Sequence, residues 1–158
     1  MSDAYLSLKV VHVLSATVLF GTGLGTAVHF WLTHRSGKVA AIAVVARNVV
    51  LADFALTAPS GVIQPATGIA LAHLSGWPLL AAWLVVTYAL YALAFACWAP
   101  VVVLQMRARD LAAAAVRRDD TLPPVYFSIM RWWFALGWPA FLALIAIFIL
   151  MVAKPDLW

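Results

Sequence analysis

The sequence predicts an all-α integral membrane protein, an antiparallel four-helix bundle made of one domain, residues 1–158. The chain is 66% hydrophobic and only 10% charged, with a mean hydropathy of +1.00, whereas a soluble domain carries about 25% charged residues. Its apolar residues are gathered into four runs separated by short polar segments. A globule of this size cannot hide so much apolar surface from water, but lipid can surround it.

The four apolar runs are long enough to cross the hydrocarbon core, which takes about 20 helical residues. We expect membrane spans at residues 5–32, 47–74, 79–106 and 126–153. The charged segment after the third span has an alanine core, so we expect that helix to continue past the membrane until Pro123 and Pro124 stop it.

The second apolar run begins as early as residue 39, which would give roughly 50 Å of helix, too long for a core of about 30 Å. We therefore expect residues 39–46 to form an interfacial or protruding turn. Pro59 and Pro65 predict a kink inside this span. The freed carbonyls would be satisfied by Thr57, Ser60 or Gln64.

Basic residues predict the orientation of the chain. They concentrate in the segments after spans one and three, and few lie in the others. Cytoplasmic segments are rich in Lys and Arg, so both chain ends are expected on the outer face of a bacterial inner membrane (N-out, C-out). The net charge of +4 is explained in this way. No basic face with base-stacking aromatics is visible, which argues against nucleic-acid binding.

Titratable residues inside a membrane are costly, so each is a functional hypothesis. His12 in span one and His73 in span two are expected in the same, outer leaflet, where antiparallel helices would hold them on either side of one heme iron. Lys9 lies on the same helical face as His12, one turn nearer the surface, where a heme propionate would need a cation. The alternative is that each histidine hydrogen-bonds a neighbouring helix. The chain has no Cys-x-x-Cys-His, so a b-type heme is the cofactor that this pattern predicts.

A second set of titratable groups is expected in the inner leaflet. Asp53 and Arg131 lie at matching depths and predict a structural ion pair, although Arg47 is an alternative partner for Asp53. A proton path or a substrate clamp is the functional interpretation of the same pair. Asp53 is the only intramembrane acid, which argues against a carboxylate-relayed pump. His29 and His34 receive no assigned role.

Span one also contains Gly21 and Gly25 at the Gly-xxx-Gly spacing that brings helices close together. The spacing favours packing within the bundle, and a homodimer seam is the alternative.

Several local motifs carry a family resemblance. The motifs are Tyr5-Leu6-x-Leu8-Lys9-x-x-His12, the glycine run after Phe20, Gln64-Pro65-x-x-Gly68 and the ending Met151-Val152-Ala153-Lys154-Pro155. Together they resemble a bacterial family of predicted integral membrane proteins of unknown function. This resemblance covers nearly the whole chain and implies small four-span proteins. The opening Leu-x-Lys-x-x-His also resembles the membrane-type, heme-dependent protoporphyrinogen oxidase and, more loosely, copper-resistance membrane domains. The likeness to the oxidase implies a heme-binding role for His12.

These observations predict a membrane-embedded b-type heme protein that transfers electrons or oxidises a substrate, with a quinone or a membrane redox protein as its partner. Two alternatives remain open. One is a cofactor-free structural or accessory subunit, and the other is a small carrier that uses the proline-broken second span. Whether the protein is an enzyme is left open.

Overall fold

A computed structural model describes residues 3–157 of the chain, and all regular structure within that range is helical. The elements are α1 (Asp3–Arg35), α2 (Val39–Ala52), a π-helical turn (Asp53–Thr57), α3 (Ala58–Leu74), α4 (Ala82–Arg118) and α5 (Pro124–Ala153). Because α2, the π-helical turn and α3 follow one another without a break, they form one long second span, Val39–Leu74. Four helices are thus long and apolar enough to cross a membrane. The side of the membrane that each end faces stays a prediction.

Helix α1 contacts both α3 and α5. His12 lies against Thr67 and Ser15 against Gln64. Later residues of α1 therefore contact earlier residues of α3. The same order holds against α5, where Phe20 meets Phe148 and Phe141, Phe30 meets Trp133, and His34 meets Tyr126.

The largest buried cluster lies at one end of the bundle, where α1 ends and α5 begins. Its core members come from all four spans: Phe30, Ile42, Val45, Ala46, Val49, Ala108, Ala112, Tyr126, Ile129, Met130 and Trp133. Small residues of α4 allow α2 to approach closely there, since Ala108 and Ala112 are both fully covered. We call this end the α1 C-terminal end.

This cluster corrects one prediction. Residues 39–46 do not form a turn, because α2 begins at Val39 as a regular helix. Ile42, Val45 and Ala46 are buried against the rest of the cluster, and that apolar contact favours helix over a turn. The predicted extension of the third span is confirmed, since α4 continues to Arg118 and Pro124 opens α5.

Candidate functional site: a polar stripe through the bundle

The second span carries polar side chains along one face. They occur at intervals of four and three residues, and four of the five are buried while Gln64 is half-buried: Asp53, Thr57, Ser60, Gln64 and Thr67. This spacing places all five on a single helical face. Position 67 follows position 53 by 14 residues, which corresponds to roughly 21 Å of helix, most of a hydrocarbon core of about 30 Å. We call these five residues the polar stripe.

His12 of α1 caps one end of the polar stripe. Its Nδ1 lies 2.8 Å from Thr67 Oγ1, and its Nε2 lies 3.2 Å from Gln64 Nε2. The Thr67 hydroxyl donates to the carbonyl of Ile63 at 2.7 Å, so it accepts the proton on His12 Nδ1. With the Gln64 amide in this orientation, Nε2 accepts from it, and His12 is then a neutral imidazole protonated on Nδ1. The hydroxyl of Ser15 donates to Gln64 Oε1 and completes the cluster.

Asp53 lies at the other end of the polar stripe and is bound by an amide. Gln105 of α4 donates from Nε2 to Asp53 Oδ2, and Gln105 Oε1 accepts from Trp133 Nε1 of α5 at 3.3 Å. Asp53, Gln105 and Trp133 are 6%, 1% and 7% exposed. This chain therefore joins three spans in a site where an unpaired polar group would be costly.

Between the two ends, a tyrosine replaces a hydrogen bond that proline removes. Pro65 has no backbone N–H, so the carbonyl of Gly61, four residues earlier, loses its helical donor. Tyr91 of α4 donates its hydroxyl to that carbonyl. The expectation that Thr57, Ser60 or Gln64 would satisfy the freed carbonyl is wrong for Gly61.

Thr57 differs from Asp53, Gln64 and Thr67, whose side chains are hydrogen-bonded. Its Oγ1 is buried and makes no hydrogen bond of standard geometry, although it lies close enough to the Asp53 carboxyl to interact with it. It lies one turn from Asp53, at the end of the π-helical turn.

The structure does not join Asp53 to Arg131. Arg131 is exposed on the outside of the bundle, and within residues 3–157 the only ion pair shorter than 4.0 Å links Arg109 to Asp110, at 2.8 Å. The predicted Asp53–Arg131 pair is therefore replaced by the Asp53–Gln105 hydrogen bond. An amide satisfies the carboxylate without burying a second charge.

The other residues predicted for the heme do not surround His12. His73 is exposed, and it follows Thr67 by six positions (67 to 73), about 9 Å farther along α3. Lys9 is also exposed, with Nζ 6.0 Å from the ring centroid of Tyr5. His29 is exposed as well. The His12 ring meets a polar face of α3, where the sequence had placed a second histidine.

Gly21 and Gly25 of span one do not pack against another helix of the bundle. A Cβ added at Gly21 or Gly25 would meet nothing within 4 Å, whereas one at Gly23 would lie 3.7 Å from the Phe141 ring. The preferred interpretation of Gly21 and Gly25 as an intrachain packing motif is therefore wrong. The homodimer seam stays a prediction.

Sequence reasoning did not identify three residues of this site: Gln105, Tyr91 and Trp133. Gln105 is an amide within an apolar run, which is a signal of a polar partner inside the bundle. The spacing of the polar stripe, with intervals of four, three, four and three residues, was also visible in the sequence. Tyr91 carried no such signal, because a tyrosine in a span is ordinarily an interface or packing residue.

Comparison with models of known protein families assigns this chain to a family. The model of the family described as "Predicted integral membrane protein (DUF2269)" matches residues 6–155. The chain belongs to this family. Its members are integral membrane proteins of unknown function, as the motifs of the chain predicted. Searches of curated proteins and of solved structures found no match, and the likeness to protoporphyrinogen oxidase stays a prediction.

Proposed function

We propose that this DUF2269 protein conducts protons across the membrane along the polar stripe. The observation that carries the proposal is that one face of a single span is polar for roughly 21 Å and ends at a titratable side chain on each side, His12 and Asp53. Polar groups are expensive in a bilayer. A stripe that needs only to hold helices together would not require titratable groups at both ends.

The hydrogen bonds of His12 favour protons over a larger solute. Both ring nitrogens are engaged, and Gln64 and Thr67, the polar groups on which a solute carrier would depend, are already bound to His12. A proton can use hydrogen bonds that exist. When Nε2 accepts a proton and Nδ1 releases one towards Thr67, the imidazole has passed on one proton and is left as the other neutral tautomer, which a flip of the ring resets.

The middle of the polar stripe supports the same proposal. Ser60 and Thr57 lie between Gln64 and Asp53, and the Thr57 hydroxyl offers a binding group for a water that would bridge them. A bridging water costs at most about 2 kcal/mol of immobilisation. The path contains no carboxylate pair, so we propose passive flow down the proton gradient.

Proton flux into proteoliposomes tests the proposal. A potassium diffusion potential set with valinomycin would drive protons inward, and an enclosed pH dye would report them. We expect flux above that of empty liposomes, and a return to background in Asp53→Asn and His12→Ala. His29→Ala, which changes an exposed histidine of the same helix, is the matched control and should conduct normally. Folded wild-type protein with the flux of empty liposomes would reject the proposal and favour an accessory subunit.

A b-type heme is the second candidate, and the tautomer of His12 favours it. A ligating histidine holds its second nitrogen by a hydrogen bond, as Thr67 holds Nδ1 here, and Nε2 carries the lone pair that iron would need. His12 would thus be able to hold the heme iron once the Gln64 amide moves away, while the exposed His73 does not fit as its partner. Bound heme would supply one-electron chemistry with a quinone or a membrane redox protein.

An absorption spectrum of the protein purified in mild detergent, with and without dithionite, tests the heme candidate. A Soret band that His12→Ala removes and His73→Ala retains would support ligation by His12 alone. A colourless preparation after growth with added heme would reject it.

We also propose the bacterial inner membrane as the location, with both chain ends outside. The basic residues after α1 and along the end of α4 support this orientation. Labelling Ser36→Cys and Ser75→Cys with an impermeant thiol reagent should modify only position 75 in intact cells. Modification at position 36 alone would reverse the orientation.

A further inference from the structure

Arg131 and His34 line a cavity on the outside of the bundle. The cavity is an open surface groove of about 540 Å³ and is completed by Phe127, Met130 and Phe134. It lies at the α1 C-terminal end, where α1 finishes at Arg35 and α5 begins at Pro124. No part of the proposed proton path reaches it.

The surroundings of this cavity resemble the boundary between hydrocarbon and headgroups. Trp31 and Trp132 are 37% and 63% exposed there, and tryptophan is enriched at that boundary. The guanidinium of Arg35 lies 5.2 Å from the Trp31 ring. Arg131 is seven positions into α5 (124 to 131), about 10 Å along the helix, so its side chain can reach the level of the phosphates.

Arg131 has no acidic partner in the part of the chain that the structure describes. A guanidinium remains charged under all ordinary conditions, and Arg131 takes part in no ion pair among residues 3–157. His34 turns Nδ1 towards the hydroxyl of Tyr126 at 3.2 Å, which leaves Nε2 available to a ligand. The cavity thus offers two nitrogen donors beside an apolar floor.

We propose that Arg131 and His34 bind the phosphate of an anionic phospholipid, whose acyl chain lies over Phe127 and Phe134. The ligand must combine an anion with hydrocarbon, because the donors of this cavity are polar and the rest of its lining is apolar. Arginine binds phosphate oxygens in bidentate fashion. The neighbouring basic residues Arg35 and Lys38 add attraction for a negatively charged headgroup.

Lipid titration followed by native mass spectrometry tests this site. The full-length protein, delipidated in detergent, would be titrated with phosphatidylglycerol or with phosphatidylcholine. We expect a preference for phosphatidylglycerol and a loss of about tenfold in its affinity in Arg131→Gln, since one charge-assisted contact disappears. Arg117→Gln, at an exposed position near the end of α4, is the control and should bind as the wild type does.

Two further arms decide the outcome. His34→Gln should weaken phosphatidylglycerol binding while the protein keeps its helical circular dichroism, and inorganic phosphate should not compete at millimolar concentration. Equal affinity in Arg131→Gln and Arg117→Gln would overturn the proposal. Full competition by inorganic phosphate would also overturn it, because the site would then bind a soluble anion. Proton flux measurements do not enter this test.

Discussion

Gly68 of α3 lies directly against the imidazole of His12. A Cβ at Gly68 would stand 3.2 Å from His12 Cε1 and 3.8 Å from Nδ1, closer than most side-chain contacts. The absence of a side chain at Gly68 is therefore what lets the ring enter the α1–α3 interface and reach Thr67 and Gln64. Any added atom must move either the ring or the helix.

Gly68→Ala tests this contact. We expect a loss of about 1–3 kcal/mol in the free energy of unfolding from overpacking, together with lower proton flux because His12 moves. Unfolding in detergent and proteoliposome flux would measure the two effects. Gly21→Ala is the control, since its added Cβ meets nothing within 4 Å. Equal stability of the two variants would show that the contact is not tight.

The hydrogen bond from Tyr91 to the Gly61 carbonyl predicts coupling with Pro65. Tyr91→Phe leaves a half-buried carbonyl unsatisfied inside the membrane span and should cost roughly 1–2 kcal/mol. In a Pro65→Ala background the restored backbone N–H can take that carbonyl, so the same change should cost much less. A double-mutant cycle on unfolding free energies measures the difference.

Tyr88→Phe, at an exposed tyrosine of the same helix, controls for the loss of a phenol and should be neutral. If Tyr91→Phe costs the same with and without Pro65, the tyrosine does not compensate for the proline.

The Asp53–Gln105–Trp133 chain predicts a large effect of an apolar substitution. Gln105→Leu strips the buried Asp53 carboxylate and the Trp133 indole of their partner and should cost about 3 kcal/mol. Arg131→Gln should change the free energy of unfolding by less than about 0.5 kcal/mol, as expected for an exposed position. Comparing the two variants by denaturation separates the observed chain from the predicted ion pair. A greater cost for Arg131→Gln would restore the ion pair.

Thr57→Val separates proton conduction from stability. Valine has nearly the same shape, and the hydroxyl it removes makes no hydrogen bond of standard geometry, so we expect the free energy of unfolding to change by less than about 1 kcal/mol. Proton flux should fall, because a bridging water loses its binding group. Thr87→Val is the control: its hydroxyl donates to the Trp83 carbonyl at 2.8 Å and lies outside the polar stripe. Unchanged flux in Thr57→Val would remove this residue from the path.

Some features of the site were within reach of sequence reasoning. His12 and Asp53 were identified because titratable groups in apolar runs are rare and costly. Their partners were not identified correctly. Depth along the helix suggested Arg131 for Asp53 and His73 for His12, but a partner is also set by rotation about each helix axis. Gln105 and Thr67 face these groups because of how the helices pack.

Composition by itself determined that lipid surrounds four helices, since no water-soluble core could bury so much apolar surface. The lengths of the apolar runs gave the four spans, and the alanine-rich segment gave the extension of α4. Only the tertiary structure decided that residues 39–46 continue the second helix and that Tyr91 supplies the bond Pro65 lacks. Both depend on contacts with α4, made by residues far apart in the chain, and helical periodicity alone does not set which faces meet.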